Sequence, residues 1–208
     1  LLSTYVDLNV RPYRNVDLNR VLRIASKLGY VAVAVEGVDV VSNEFNGLKV
    51  LPRVTYKYVG KPTTNYEGLR NHLIVYEIDQ PTMIKALTSL RGRCHLIRIA
   101  RDALTGIKKK HINALKSCKI PIELSVKDLI SSNSINYTYL KNFFKLLPYI
   151  ERGDIELVVS SYAGDEYELI HPLQLIALLK ELGLSELIAT KALTGVPMKI
   201  LRMVGSGV

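Results

Sequence analysis

Seven apolar runs in this chain end in residues able to do chemistry. Asn9 and Arg11 close the first, and Glu36 the second. Arg53 and Lys57 lie on the third, and Glu77 and Asp79 end the fourth. The fifth leads to Arg98, Arg101 and Asp102, the sixth holds Glu123 and Ser125, and the last ends in Ser160 and Ser161. Three kinds of chemistry suit such a set. Carboxylates that converge can hold a divalent cation and activate water. A serine with an adjacent base can act as a nucleophile. Arginine grips phosphate through a planar fork of donors, and lysine adds a point charge.

The first two readings are weak. Asp7, Glu36, Glu77 and Glu123 are the acids that could surround magnesium or manganese. The four histidines, His72, His95, His111 and His171, form no H-x-H or H-x-x-x-H pair, so a hydrolytic centre lacks nitrogen ligands. Acids at strand ends also pair with nearby arginines, and that is the competing reading here. "SSYAGD" is not a G-x-S-x-G elbow, and no histidine is placed as its base. Lys57, between Tyr56 and Tyr58, suits an exposed ribbon better than a buried Schiff-base site. Cys94 and Cys118 form no C-x-x-C pair and read as two buried thiols, with a single disulfide as the alternative. No catalytic residue, no metal ligand and no bound cofactor is assigned.

The third reading is stronger. Net charge is +9 in 208 residues, and the pI is about 9.5. Such an excess suits a polyanionic partner. The assigned RNA-binding set is Arg11 and Arg14 around Tyr13, Arg53 and Lys57, the segment with Arg91, Arg93, Arg98 and Arg101, and the run Lys108, Lys109, Lys110. Neighbouring tyrosines offer stacking surfaces for unpaired bases. A lysine run is also the usual solvated face of a helix.

Elements that would position these residues follow from the hydrophobic period. "TYVDLNV" reads as a strand. Leu18, Val21, Leu22, Ala25 and Leu28 mark one helix face, with Asn15 as N-cap and Gly29 as C′ residue. "YVAVAVEG" is apolar on both faces, as in a parallel sheet covered by helices. Strands follow over 48–59, with a bend or bulge expected at Pro52, then 72–78, 94–100, 120–126 and 154–161. Helices are expected from Pro81, over 104–118, with Leu140, Phe143, Phe144 and Leu147 on one face of the next, and over 172–182, 185–193 and 197–204. The alternation leaves a doubly wound open sheet or a closed barrel. No glycine fingerprint follows the first strand, which favours a TIM-like (β/α) barrel with about seven main strands. Length favours one domain over 1–208. No apolar run approaches membrane-span length, no leader segment opens the sequence, and a cytoplasmic location is expected.

The order of these motifs resembles protein component 3 of archaeal ribonuclease P, a relative of the thirty-kilodalton subunit of the eukaryotic enzyme. The resemblance rests on "YVDLNV", "LGYVAVAVEG", "IPIELSVKDLI" and the region from Asp154 to Leu201, with Ser160, Ser161, Ala163, Glu168, Leu169, Pro172, Leu182–Leu184 and Pro197 in matching places. The family has glycine where Tyr162 stands. The resemblance implies an α/β barrel of the polymerase-and-histidinol-phosphatase type. Asn9 and Arg11 stand where that superfamily places two metal-binding histidines. It further implies a non-catalytic subunit of a ribonucleoprotein endoribonuclease, whose RNA removes the 5′ leader of precursor tRNA using magnesium. The implied partners are ribonuclease P RNA, precursor tRNA, a small ferredoxin-like subunit and other ribonuclease P proteins, with no membrane. The competing function is a free-standing metal-dependent phosphoesterase built on Asp7, Glu36, Glu77 and Glu123.

Overall fold

Seven strands pair in parallel in the order in which they occur along the chain: β1 (Tyr5–Val10), β2 (Tyr30–Glu36), β3 (Leu48–Lys57), β4 (Leu73–Ile78), β5 (Leu96–Ile99), β6 (Ile122–Ser125) and β7 (Leu157–Ser160). An open doubly wound sheet reverses its strand order partway, so this unbroken order selects the barrel. The computed structural model describes residues 4–37, 43–62, 69, 71–131, 134–135 and 137–206.

Alternation along each strand sorts the core. Ala32 and Ala34 of β2 face inward with Val6, Leu8, Leu51, Val75 and Val158. Val33 and Val35 face outward and pack with Val21, Leu22 and Ala25 of helix α1 (Leu18–Lys27). Asp17, rather than Asn15, caps α1, its side chain accepting the Asn19 N–H at 2.9 Å. Gly29 follows at φ +88°, the left-handed conformation expected of a C′ glycine.

The remaining helices are a 3₁₀ helix (Pro81–Leu90), α2 (Arg101–Thr105), α3 (Lys109–Cys118), α4 (Val126–Leu129), α5 (Tyr137–Phe143), α6 (Leu147–Glu151), α7 (Pro172–Glu181), α8 (Glu186–Leu193) and α9 (Gly195–Ser206). The helix expected over 104–118 is broken at Gly106, where an added Cβ would meet the Pro81 ring. Phe143 is buried as expected, but Phe144, just past the end of α5, is 43% exposed, and Tyr139 is buried instead. The β2–β3 register runs through Pro52 without a shift, because the φ of proline fits extended backbone and only one ladder donor is lost. The irregularities lie in β1, between Tyr5 and Val6 and between Asp7 and Val10.

The barrel closes through short continuations of β1 and β7. Tyr162 N–H donates to the Asn9 carbonyl at 2.9 Å, Arg11 N–H to Ala163 at 2.8 Å and Tyr13 N–H to Gly164 at 2.9 Å. At the opposite end, Val196, Ile200, Leu201 and Val204 of α9 pack against the inward apolar residues and seal the barrel floor.

Candidate functional site

Barrel chemistry gathers at the C-terminal ends of the strands, and here that end is filled by the chain's own ions. The Arg53 guanidinium meets Glu123 in a fork, Nη1 to Oε1 and Nη2 to Oε2, both at 2.7 Å. Neither side chain is exposed. Arg53 Nη1 also donates to the Leu8 carbonyl at 2.7 Å. The Ser160 hydroxyl donates to Glu123 at 2.8 Å, and Asn9 Nδ2 reaches it at 3.4 Å. The register shift in β1 is what lets Asn9 aim inward beside Leu8. Burial alone would push the Glu123 carboxyl up, but Arg53, Arg98 and Ser160 outweigh it and hold the group below its ordinary value.

Two further groups of ion pairs complete the layer. Glu36 accepts from Arg11 at 2.6 Å and from the Thr55 hydroxyl at 3.0 Å, with Arg53 Nε at 3.2 Å. Arg98 bridges Glu77 at 3.0 Å and Asp128 of α4 at 2.7 Å. Tyr162 lies over this layer. The Arg11 and Arg98 guanidinium carbons lie 4.7 Å and 4.3 Å from its ring centroid, stacked as cation–π contacts. The Tyr162 backbone sits at φ +62°, a left-handed conformation that costs a non-glycine residue about 1–2 kcal/mol.

A layer of this kind leaves no free base. Each of Glu36, Glu77 and Glu123 is held by a guanidinium, and Asp7 accepts the backbone N–H of Asn9 at 3.0 Å and of Ser161 at 3.2 Å. Among the described residues, no three of the histidines, cysteines and acids gather as a ligand set. Three of the four histidines serve as backbone acceptors. His95 accepts the Ile74 N–H at 3.0 Å, His111 that of Lys108 at 3.2 Å and His171 that of Leu173 at 3.1 Å. The four acids of the metal-dependent phosphoesterase reading are thus engaged by guanidinium and backbone N–H groups. Cys94 and Cys118 are buried free thiols.

Comparison with known proteins gives the context of this architecture. A model of the family described as RNase P subunit p30 matches residues 4–206. The chain belongs to the RNase P subunit p30 family. It is thereby a protein subunit of ribonuclease P, a ribonucleoprotein of tRNA processing. A chain in the cryo-EM structure of archaeal ribonuclease P with mature tRNA shares the fold, with a TM-score of 0.71 at 20% identity over 97% of this chain and 91% of that one. No curated protein matches the sequence.

In this p30-family chain the structure separates the eleven assigned cations. Arg11, Arg53 and Arg98 belong to the mouth network. Lys57 is exposed but pairs with Asp79 at 2.6 Å, and Arg101 lies 3.5 Å from Asp102. Arg91 donates to the Ser117 and Cys118 carbonyls and so closes the end of α3. Arg14, Arg93 and Lys108–Lys110 are exposed, and no acid among the described residues pairs with them. The tyrosines beside the cations are largely engaged. Tyr58 is buried, with its hydroxyl bonded to Gly60, Ala86 and Ser89. Tyr13 bonds Glu168 at 2.7 Å and Lys127 at 2.5 Å. Sequence reasoning missed Tyr162 as the lid of the layer. Its one legible signal was a large side chain where the family has glycine.

Proposed function

We propose that this chain is a non-catalytic subunit that supports the ribonuclease P RNA while the RNA removes the 5′ leader from precursor tRNA. The observation that carries the reading is the mouth layer, in which Arg53 and Glu123 fill the place of a barrel active site. With its acids bound to its own arginines, the chain contributes binding surface and charge, and magnesium is held by the RNA. Exposed cations neutralise phosphates of ribonuclease P RNA and precursor tRNA. The presence of a chain of this fold in archaeal ribonuclease P with mature tRNA supports that placement. A small ferredoxin-like subunit and other ribonuclease P proteins are the proposed protein partners.

An omission assay tests this. Ribonuclease P RNA is reconstituted with its protein subunits, with and without this chain, and leader removal is followed at limiting magnesium. The expected result is a marked loss of rate on omission that added magnesium partly restores. An unchanged rate, with the other subunits shown to be active, rejects the role.

A further inference from the structure

The net positive charge of the molecule comes from one stretch. Ten of the 28 lysines and arginines, and only one of the 19 acids, lie between Gln80 and Ile120. That stretch carries the whole net charge of +9, and the remainder holds 18 basic and 18 acidic residues. The 3₁₀ helix and α3 of this stretch pack side by side. Arg91 ties the end of the first to the end of the second through the Ser117 and Cys118 carbonyls. Within the stretch, Arg98 is used in the mouth, Arg101 lies beside Asp102, and Lys116 pairs with Asp154 at 3.1 Å. The other seven cations lie on the 3₁₀ helix, on the turn that follows it, and at the two ends of α3. They are exposed and meet no acid among the described residues.

Two features mark this strip as built for an anion. Lys108, Lys109 and Lys110 crowd the first turn of α3, where the helix dipole is already positive and no acid offsets it. Beneath them His111 is pushed below its ordinary value by burial and by the charges of Lys110, Lys85 and Lys108. The isolated chain gains no stability from such crowding. The second feature is what the strip lacks. None of the exposed large hydrophobic residues lies between 80 and 120, and the stretch contains no aromatic residue. A protein interface has an apolar core enriched in aromatics, and base stacking uses aromatic rings or guanidinium planes. Phosphate contact needs neither.

We infer that the face formed by the 3₁₀ helix and α3, with Lys85, Arg93, Lys109, Lys110 and Lys119 at its surface, docks on an RNA phosphate backbone, and that the arginine-rich barrel mouth does not. This rests on the function proposed above and adds the face and the mode of contact. The α3 helix spans about 15 Å, enough to follow several successive phosphates. Recognition is by backbone, independent of base sequence.

The test is the salt dependence of binding between the purified chain and labelled ribonuclease P RNA. Lys85→Ala/Lys109→Ala/Lys110→Ala removes three strip cations. Arg23→Ala/Lys27→Ala/Arg202→Ala removes three exposed cations from the neutral remainder. The strip variant is expected to flatten the slope of log K against log salt by about 2 to 3, at roughly 0.7–0.9 per contact. The control variant keeps the slope. The strip variant also melts no lower than the parent, because it relieves charge at the start of α3. A steep slope in the parent with the same slope in the strip variant, or equal flattening in the control, overturns the face and leaves the function standing. Retained RNA binding with loss of an acidic protein subunit assigns the strip to protein and overturns the inference too. A parent chain that binds no ribonuclease P RNA and is dispensable in the omission assay removes the function itself.

Discussion

Arg53 and Glu123 illustrate how a buried pair can be indispensable without being a net source of stability. Breaking such a pair strands a charge and costs about 3–5 kcal/mol, while replacing both partners with apolar groups is often neutral. Arg53→Met is therefore expected to lower the free energy of urea unfolding by that amount, and Arg53→Met/Glu123→Leu to recover most of it. A neutral Arg53→Met would mean that water enters the mouth and solvates Glu123. Asp7 poses a different problem. Burial pushes its carboxyl from 3.8 to about 6, with the Asn9 and Ser161 hydrogen bonds opposing and the Glu123 charge adding. The folded chain thus holds this proton more tightly than the unfolded chain. The stabilisation is complete below about pH 4 and is lost as pH rises through 6, about 3 kcal/mol at 1.36 kcal/mol per unit. Asp7→Asn lacks that titration. Its stability relative to the parent should rise by about that amount between pH 4 and pH 7 in chemical unfolding. Parallel curves would mean that Asp7 titrates normally.

Closure of the barrel is an event at the level of elements, and among the described residues it is made by continuations of β1 and β7. Asn9–Tyr13 and Tyr162–Gly164 form the seam through three backbone hydrogen bonds. Tyr13 lies against Gly164 so closely that an added Cβ would collide with its ring. The Tyr13 hydroxyl then meets Glu168 and Lys127, and Gly164 N–H donates to Glu168 at 2.6 Å. Gly164→Ala should destabilise by about 1–3 kcal/mol, the usual range for overpacking. In the Tyr13→Ala background the same substitution should cost much less, because the ring it strikes is gone. Thermal melting of the four proteins measures this coupling. Additive losses would place the role of Gly164 in its backbone alone.

For the whole molecule, the barrel interior is packed from an apolar floor to a charged mouth. Its floor is covered by α9, and its mouth is lined by ion pairs and Tyr162. On the outside the polar and apolar surfaces are divided. The unpaired cations are densest on the 3₁₀ helix and α3, while the exposed Tyr137, Phe144, Tyr167, Leu173 and Leu187 all lie outside that stretch. Among the described residues, no helix is long and apolar enough to cross a membrane.

The sequence by itself determined the strand–helix alternation, the barrel class and the excess of positive charge. These follow from local period and composition, which need no knowledge of distant neighbours. Family membership was legible in the same way, through motifs in order. The sequence also placed Glu36, Glu77, Glu123, Arg53 and Arg98 on the strands whose ends line the mouth, because the residues at a strand's end can be read from its apolar run. What it did not contain was their pairing. Arg53 meets Glu123 across 70 residues and Arg11 meets Glu36 across 25, and only the shear of a closing sheet brings those side chains to one level. Tertiary structure likewise decided which arginines are occupied inside and which remain free, since a guanidinium's availability depends on whether an acid from another strand reaches it first.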